Sequence, residues 1–296
     1  MELVIDWNVD SQLVDGWSTP NLYGLLFVGG MILGYYIIRK MFKSEGISDK
    51  YLDKLLLYVV PATIIGARLG HVFFYGPYWD RFDTSGRLIE EGYLSHPLSI
   101  LKVWEGGLAS HGAAIMILIM LYVYSRNVVK RPMLWILDRI VAPIAIAGCF
   151  IRLGNLVNHE IIGTPTDLPW GFLFNNAGPE YLVDNKVVPR HPAQLYESLT
   201  YLFSFIVLMR MYWKTNAKAI PGRLFGMFMI LIWTARFVIE FIKVGQTQRD
   251  DVWALNTGQL LSIPFILIGL YLTFRKVPEK EQAKFDEAVA TPLPLK

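Results

Sequence analysis

The stretch GCFIRLGNLVNHEIIG, Gly148 to Gly163, decides how this chain is read. It continues the apolar run Ile140–Ala147 and has the setting of the last turns of a membrane-spanning helix. Yet it carries Arg152, Asn155, Asn158, His159 and Glu160. An arginine near a bilayer centre costs about 2.5–3.5 kcal/mol on insertion scales, so such residues face a cavity or a partner rather than lipid. Either the run is not a span, or its polar residues serve a site inside the membrane.

The rest of the chain removes the first option. Of 296 residues 53% are hydrophobic and only 18% charged, with a mean hydropathy of +0.37. A helix needs about 20 mostly apolar residues to cross the hydrocarbon core. Seven runs meet that description: Leu22–Ile38, Leu55–Tyr75, Gly107–Ser125, Ile140–Val157, Ala193–Trp213, Leu224–Ile242 and Thr257–Phe274. The expected fold is therefore all-α, a polytopic integral membrane protein with seven transmembrane helices. No signal peptide is expected, because the first 21 residues contain no Lys or Arg. One cysteine, Cys149, excludes an internal disulfide and a Cys-rich metal site.

Charge placement orients the helices. Cytoplasmic loops of membrane proteins are rich in Lys and Arg. Segments 39–54, 126–139, 214–223 and the tail from residue 275 hold seventeen, and the alternate segments hold seven. This puts the N-terminus outside and the C-terminus in the cytoplasm, which seven spans satisfy. The longest outer connection, 158–192, is rich in Pro, Gly and Asn and reads as a small periplasmic head or lid. Segment 76–97 reads as an interfacial arm, and Leu98–Trp104 as an amphipathic stretch along the surface. Residues 1–277 are expected to form one transmembrane domain, with 278–296 a disordered cytoplasmic tail.

Four basic residues fall inside the runs: Arg68, Arg152, Arg210 and Arg236. Arg210 lies near the cytoplasmic end of its run and can snorkel to the headgroups. The other three fall at similar depth toward the outer side, at a combined cost of roughly 8–10 kcal/mol. Three cations at one depth point to an anion site, and the obvious anion of a membrane is a phospholipid phosphate. Arg152 and Asn155 are three apart on one helix face, and Gly154 leaves room for close approach. Glu240, four residues after Arg236, is placed to hold its guanidinium. His111, in GGLASHGAA, lies early in the third run with small residues beside its ring. The bland reading of each stays in view: GARLG around Arg68 suits helix packing, a lone histidine is usually structural, and Cys149 reads as packing.

These residues also resemble a known family. RLGNLVNHEIIG with its preceding GCFI resembles the signature of the prolipoprotein diacylglyceryl transferases. LYGLLFVGG at 22–30, GARLGHVFFY at 66–75, VWEGGLASHG at 103–112, RHPAQLYES at 190–198, ARFVIEF at 235–241 and GQLLSIP at 258–264 are similar to that family in the same order. The resemblance implies a bacterial inner-membrane enzyme that moves the diacylglyceryl group of phosphatidylglycerol to the lipobox cysteine of a prolipoprotein signal peptide. A thioether forms and glycerol phosphate leaves, in the first step of lipoprotein maturation. It implies His111, Arg152 and Arg236 as catalytic residues, with Tyr23, Asn155, Glu160 and Gly163 also matching the pattern. Arg68, Asn158 and Glu240 join the expected substrate-binding set. No metal, nucleotide cofactor or nucleic-acid partner is expected, since none of their motifs is present. The chain departs from the family at Ala113, Ile151, His159 and Ile232, where the family often has glycine at the first three and tyrosine at the last. The alternatives are a transporter of an anionic solute, which the absence of internal repeats disfavours, and an intramembrane protease, for which no Ser-His or paired-Asp arrangement is evident.

Overall fold

The computed structural model describes residues 4–14, 16, 20–103, 106–244 and 255–293. It is mostly helical, and each of the seven apolar runs lies on a helix: α1 (Leu22–Ser44), α2 (Asp49–Phe74), α3 (Ser110–Asn127), α4 (Met133–Val157), α5 (Ala193–Lys214), α6 (Arg223–Ile239) and α7 (Thr257–Phe274). Five are long and apolar enough to cross a membrane: α1, α2, α4, α6 with the 3-10 turn that extends it to Ile242, and α7. The chain is thus an all-α integral membrane protein with several spans. Polar ends dilute α3, and α5 carries Gln194, Glu197 and Arg210.

Several helices outrun their apolar cores. α1 continues to Ser44, α2 begins at Asp49, and α4 begins at Met133, seven residues before the expected Ile140. Hydropathy marks where lipid begins, whereas a helix stops only where its terminal groups find other partners. Ser48 caps α2, its hydroxyl accepting from Lys50 N, with Asp49 complementing the helix dipole. Asn256 and Gln259 form a reciprocal capping box on α7. Asp138, buried on α4, caps α6 by accepting from Gly222 N and Phe225 N at 2.8 Å each.

Two compact units emerge, where one domain over 1–277 was expected. The first comprises Met1–Met41 and Leu137–Asp286, the second Phe42–Ile136 and Glu287–Lys296. In the first, Met41, Val141, Ala142, Ala145, Leu208, Tyr212, Ala217 and Leu224 form a buried apolar cluster. α6 and α7 meet at Gly226 and Gly269, where either glycine's absent Cβ would strike the other helix's backbone. The segment 158–192 folds as a small head. Its strand β4 (Phe172–Phe174) pairs in parallel with the N-terminal strand β1 (Ile5–Trp7). Leu156, Ile162, Phe172 and Phe174 form the head's core, with Trp7 packed on it and donating to Leu156 O at 3.1 Å.

In the second unit, α2 and α3 pack through Gly66, Gly70 and Gly112, a crossing close enough that any Cβ there meets backbone. The expected arm contains a hairpin, β2 (Arg81–Phe82) with β3 (Leu88–Glu90), antiparallel. Asp83 closes its turn by accepting from Ser85 N and Arg87 N. Asp80 ties the arm's base by accepting from Gly92 N at 2.7 Å. That bond, with His96 beside it, lowers the Asp80 carboxyl below its ordinary range. The expected surface stretch begins as a 3-10 helix, Pro97–Leu101, and Trp104 falls outside the described residues. The tail differs from expectation: Glu279–Ala290 forms a helix, α8, not a disordered segment. Its Phe285 is buried and its Glu281 pairs with Arg275, so the charged composition hides one apolar anchor and one ion pair.

Candidate active site

The site is built where α4 ends. His159 (φ 54°) and Ile161 (φ 59°) both lie in the left-handed region, which a β-branched residue such as Ile161 rarely adopts. That double reversal folds Glu160 back under the helix end. Its Oε1 accepts from Asn155 Nδ2 at 2.8 Å and Asn158 Nδ2 at 3.4 Å, and its carbonyl accepts from Gln194 Nε2 at 2.6 Å. Asn155 passes the order on, its Oδ1 accepting from Arg152 Nη1 at 3.3 Å. The helix-face pairing of Arg152 and Asn155 expected from their spacing is therefore present. Tyr23 of α1 lies flat on Gly154, where a Cβ would fall 2.7 Å from its ring.

The other edge of Arg152 is held by a residue the sequence reading missed. Arg152 Nε lies 2.9 Å from Glu197 Oε2 on α5. Lys243 Nζ donates to Glu197 Oε1 at 3.2 Å and also lies 3.7 Å from Glu240 Oε2. All three partners are buried. An alternating chain of charge, Arg152–Glu197–Lys243–Glu240, thus runs from α4 through α5 to the end of α6. Glu197 was legible by the rule that flagged Arg152, since it is a carboxylate five residues into an apolar run. Lys243 was hidden by being counted as a loop charge.

Glu240 therefore does not hold Arg236, as its four-residue spacing had suggested. α6 ends at Ile239 and the chain tightens into a 3-10 turn over Glu240–Ile242. Glu240 N still donates to Arg236 O, so the helical spacing holds, but the turn that follows brings Lys243 to 3.7 Å from the Glu240 carboxylate. Glu240 instead packs against Gly258, and its carbonyl accepts from Asn256 Nδ2 at 3.2 Å. Arg236 makes no ion pair with any described residue. Its guanidinium lies 5.6 Å over the ring of Trp233, which stacks on Phe265 of α7 at 4.2 Å.

Arg152 and Arg236 meet in a small open cleft, lined also by Glu197, Thr200, Tyr201, Ile232, Ala235 and Ile239. Two cations face one carboxylate among apolar walls, so the lining is net positive by one charge. In a low-dielectric setting that charge is screened little and draws a monoanion.

Arg68 is placed differently. It is 5% exposed, and its guanidinium donates to four carbonyls: Ile100 at 2.9 Å, Gly106 at 2.7 Å, Gly107 at 3.3 Å and Ser99 at 2.6 Å. Tyr93 covers it at 5.2 Å. Those bonds occupy the fork that a phosphate would need, so Arg68 is a pin for the segment 99–107, the packing reading of GARLG. His111 sits at the start of α3 with its ring exposed beside Phe74 (5.3 Å) and Tyr75 (5.4 Å). Its neighbour Gly112 is the close-packed point of the α2–α3 crossing. Arg68 and His111 belong to the second unit; Tyr23, Asn155, Asn158, Glu160, Gly163, Arg152, Arg236 and Glu240 belong to the first.

Gly163 is the junction between head and helices. Its N–H donates to His191 O and its carbonyl accepts from Arg190 Nη1, both at 3.0 Å, and it bridges Lys243 in antiparallel fashion. A Cβ would lie 2.7 Å from Ile242 O, so no larger residue fits. Arg190 also donates to Tyr181 O at 2.6 Å, and burial lowers its pKa. His159, one of the departures from the family pattern, is 4% exposed. It shares a hydrogen bond with Val9 O at 2.8 Å and so ties the N-terminal segment to the head.

Comparison with known proteins comes to the same place. The family model for prolipoprotein diacylglyceryl transferase matches residues 16–275. A phosphatidylglycerol–prolipoprotein diacylglyceryl transferase of Tolumonas auensis is 40% identical over 93% of this chain and 98% of its own length. The protein of that name in Porphyromonas gingivalis is 43% identical over 92% of this chain and 95% of its own length. That in Chloroherpeton thalassium is 40% identical over 95% and 97%.

Proposed function

The chain belongs to the prolipoprotein diacylglyceryl transferase family, and on that premise we propose that its Arg152–Arg236 cleft holds the phosphate of phosphatidylglycerol during transfer. The enzyme moves the diacylglyceryl group from that lipid to a prolipoprotein. Membership leaves the transporter alternative without support.

The chemistry asks for what the cleft offers. A cysteine thiol of the precursor attacks a glyceryl carbon. The S–C bond forms as the C–O bond to phosphate breaks, and glycerol phosphate leaves with the electron pair. Charge grows on the departing phosphate. Guanidinium groups bind such oxygens by paired hydrogen bonds and keep their proton. Glu197 and Asn155 occupy Nε and one Nη of Arg152, which orients the remaining donors. Arg236, carried on an aromatic ring, has its charge unmatched among the described residues. In this reading Arg152 binds the lipid phosphate and Arg236 stabilises the leaving group. His111 takes the thiol proton; an unperturbed thiol is only a few per cent ionised at neutral pH, so a base raises the reactive fraction. Tyr23, Asn155, Asn158, Glu160 and Gly163 shape the wall beside Arg152.

The topology that serves this chemistry has seven crossings, with the N-terminus and head outside the bacterial inner membrane. Two contacts support it by parity. β1 and β4 share a sheet, so an even number of crossings separates them; α1, α2 and α4 supply three, and α3 makes the fourth. Gly163 bridges Lys243, so α5 must cross if α6 does. The basic residues on the alternate loops then face the cytoplasm. The head acts as a lid over the lipid site and the arm as an interfacial rest.

The observation that carries the proposal is the shared cleft of Arg152 and Arg236. The protein in phosphatidylglycerol vesicles, given a lipobox-cysteine peptide, should add one diacylglyceryl mass to it. Arg152→Ala and Arg236→Ala should each lose about 10²–10³-fold in kcat, and His111→Gln should also be impaired. Full activity in either arginine variant would end the anion-site reading.

A further inference from the structure

The Arg152–Arg236 cleft contains a hydroxyl for which the protein itself has no use. Tyr201, two turns into α5, lines the cleft together with both arginines. Its ring is seated deliberately: Gly148 of α4 faces it, and a Cβ there would fall 2.6 Å from both Cδ1 and Cε1. Any larger residue at 148 would push the ring away. The other side chains of the lining cannot supply a neutral donor. Thr200 donates its hydroxyl to Tyr196 O at 2.9 Å, and α6 contributes only Ile232, Ala235 and Ile239 beside Arg236. The Tyr201 hydroxyl makes no hydrogen bond to any described residue. Its oxygen is also absent from the buried atoms left without partners, so it is open to a ligand.

We propose that Tyr201 is a substrate-binding residue that donates its phenolic hydrogen bond to a phosphate oxygen of the bound phospholipid. The proposal rests on the reading of the cleft as the phosphate site. Three helices then each contribute one donor group: Arg152 from α4, Tyr201 from α5 and Arg236 from α6. The arginines supply charge, which attracts any anion. The phenol supplies direction, because a single O–H satisfies one oxygen at one place. It adds no charge, so it orients the phosphate without adding to the net positive charge of the cleft.

The test is transfer kinetics of the full chain in vesicles, with phosphatidylglycerol and the lipobox peptide varied separately. Tyr201→Phe keeps the ring that Gly148 accommodates and removes only the hydroxyl. A hydrogen bond to a charged acceptor corresponds to about ten- to a hundredfold. Tyr201→Phe should lower kcat/KM for phosphatidylglycerol by that factor, with KM for the peptide and Tm unchanged. Unaltered kcat/KM for the lipid would overturn the proposal. So would equal losses toward both substrates, or a lowered Tm, since these mark a packing role. If Arg152→Ala or Arg236→Ala transfers as fast as the wild type, the reading of the cleft fails and takes the proposal with it. If the wild type transfers and Tyr201→Phe transfers as fast, only the proposal fails.

Discussion

Arg152 and Arg236 carry the same charge into the same cleft and are held in opposite ways. Arg152 sits in a chain of ions whose members are buried, so each depends on the next. Removing one member strands another, and a broken buried pair costs about 3–5 kcal/mol. Glu197→Gln should therefore lower stability by about that amount, because it leaves Arg152 and Lys243 facing a neutral amide. The double variant Glu197→Gln with Lys243→Gln should recover part of the loss, with a coupling of about 0.5–3 kcal/mol. Thermal unfolding of the four proteins in one detergent measures it; strict additivity would show that the 3.2 Å contact carries no energy. Arg236, by contrast, is supported by the faces of Trp233 and Phe265. A desolvated cation over an aromatic ring gains about 2 kcal/mol, and its charge stays available to a ligand. Sequence spacing exposed both arginines because a charge in an apolar run is conspicuous. It misassigned the partner of Arg236 because the nearer cation for Glu240 is Lys243, brought in by the 3-10 turn after residue 240, which leaves no mark in the pattern.

At the scale of elements, the head is the part least visible in the sequence. Its 35 residues, 158–192, showed only turn-forming composition. What organises them is pairing with a distant strand, Ile5–Trp7, and the pins Arg190, His159 and Gly163. A three-residue strand has no periodicity to detect, and its partner lies more than 160 residues away. The helices were legible because each carries a long apolar run, while their ends were not, because caps such as Ser48 and Asn256 set them. His191 makes the head sensitive to pH. It lies between Gly163 and Thr164, joined to both by backbone bonds, and burial lowers its pKa from the ordinary 6.5. Below pH 6.5 the unfolded head gains a proton that the folded head resists. The stability contributed by His191 is thus present above pH 6.5 and is lost as pH falls through its folded value. Amide exchange at Gly163, corrected for intrinsic rate, should quicken between pH 7 and the lower value, and His191→Gln should flatten that dependence. A slope unchanged in His191→Gln would assign the effect to another group.

At the scale of the whole molecule, the central question is which face of the membrane the cleft serves. Cys149 is buried, so an added cysteine at an exposed position can report its own side. Ser85 in the arm hairpin and Lys186 in the head are exposed, as is Asn216 between α5 and α6. An impermeant maleimide on intact spheroplasts should label Ser85→Cys and Lys186→Cys, and should reach Asn216→Cys only after permeabilisation. The reverse pattern would place the head in the cytoplasm. The pairing of β1 with β4 fixes the parity of the crossings and is kept in either orientation, so this labelling tests the charge-based orientation alone.

The lipid phosphate is the point on which these scales converge. The most direct measurement is a structure of the protein determined in phosphatidylglycerol bilayers. The expected result is a lipid whose phosphate oxygens lie within about 3.2 Å of guanidinium nitrogens of both Arg152 and Arg236, with Arg68 still bound to its four carbonyls. A headgroup held elsewhere, with the Arg152–Arg236 cleft empty, would contradict it.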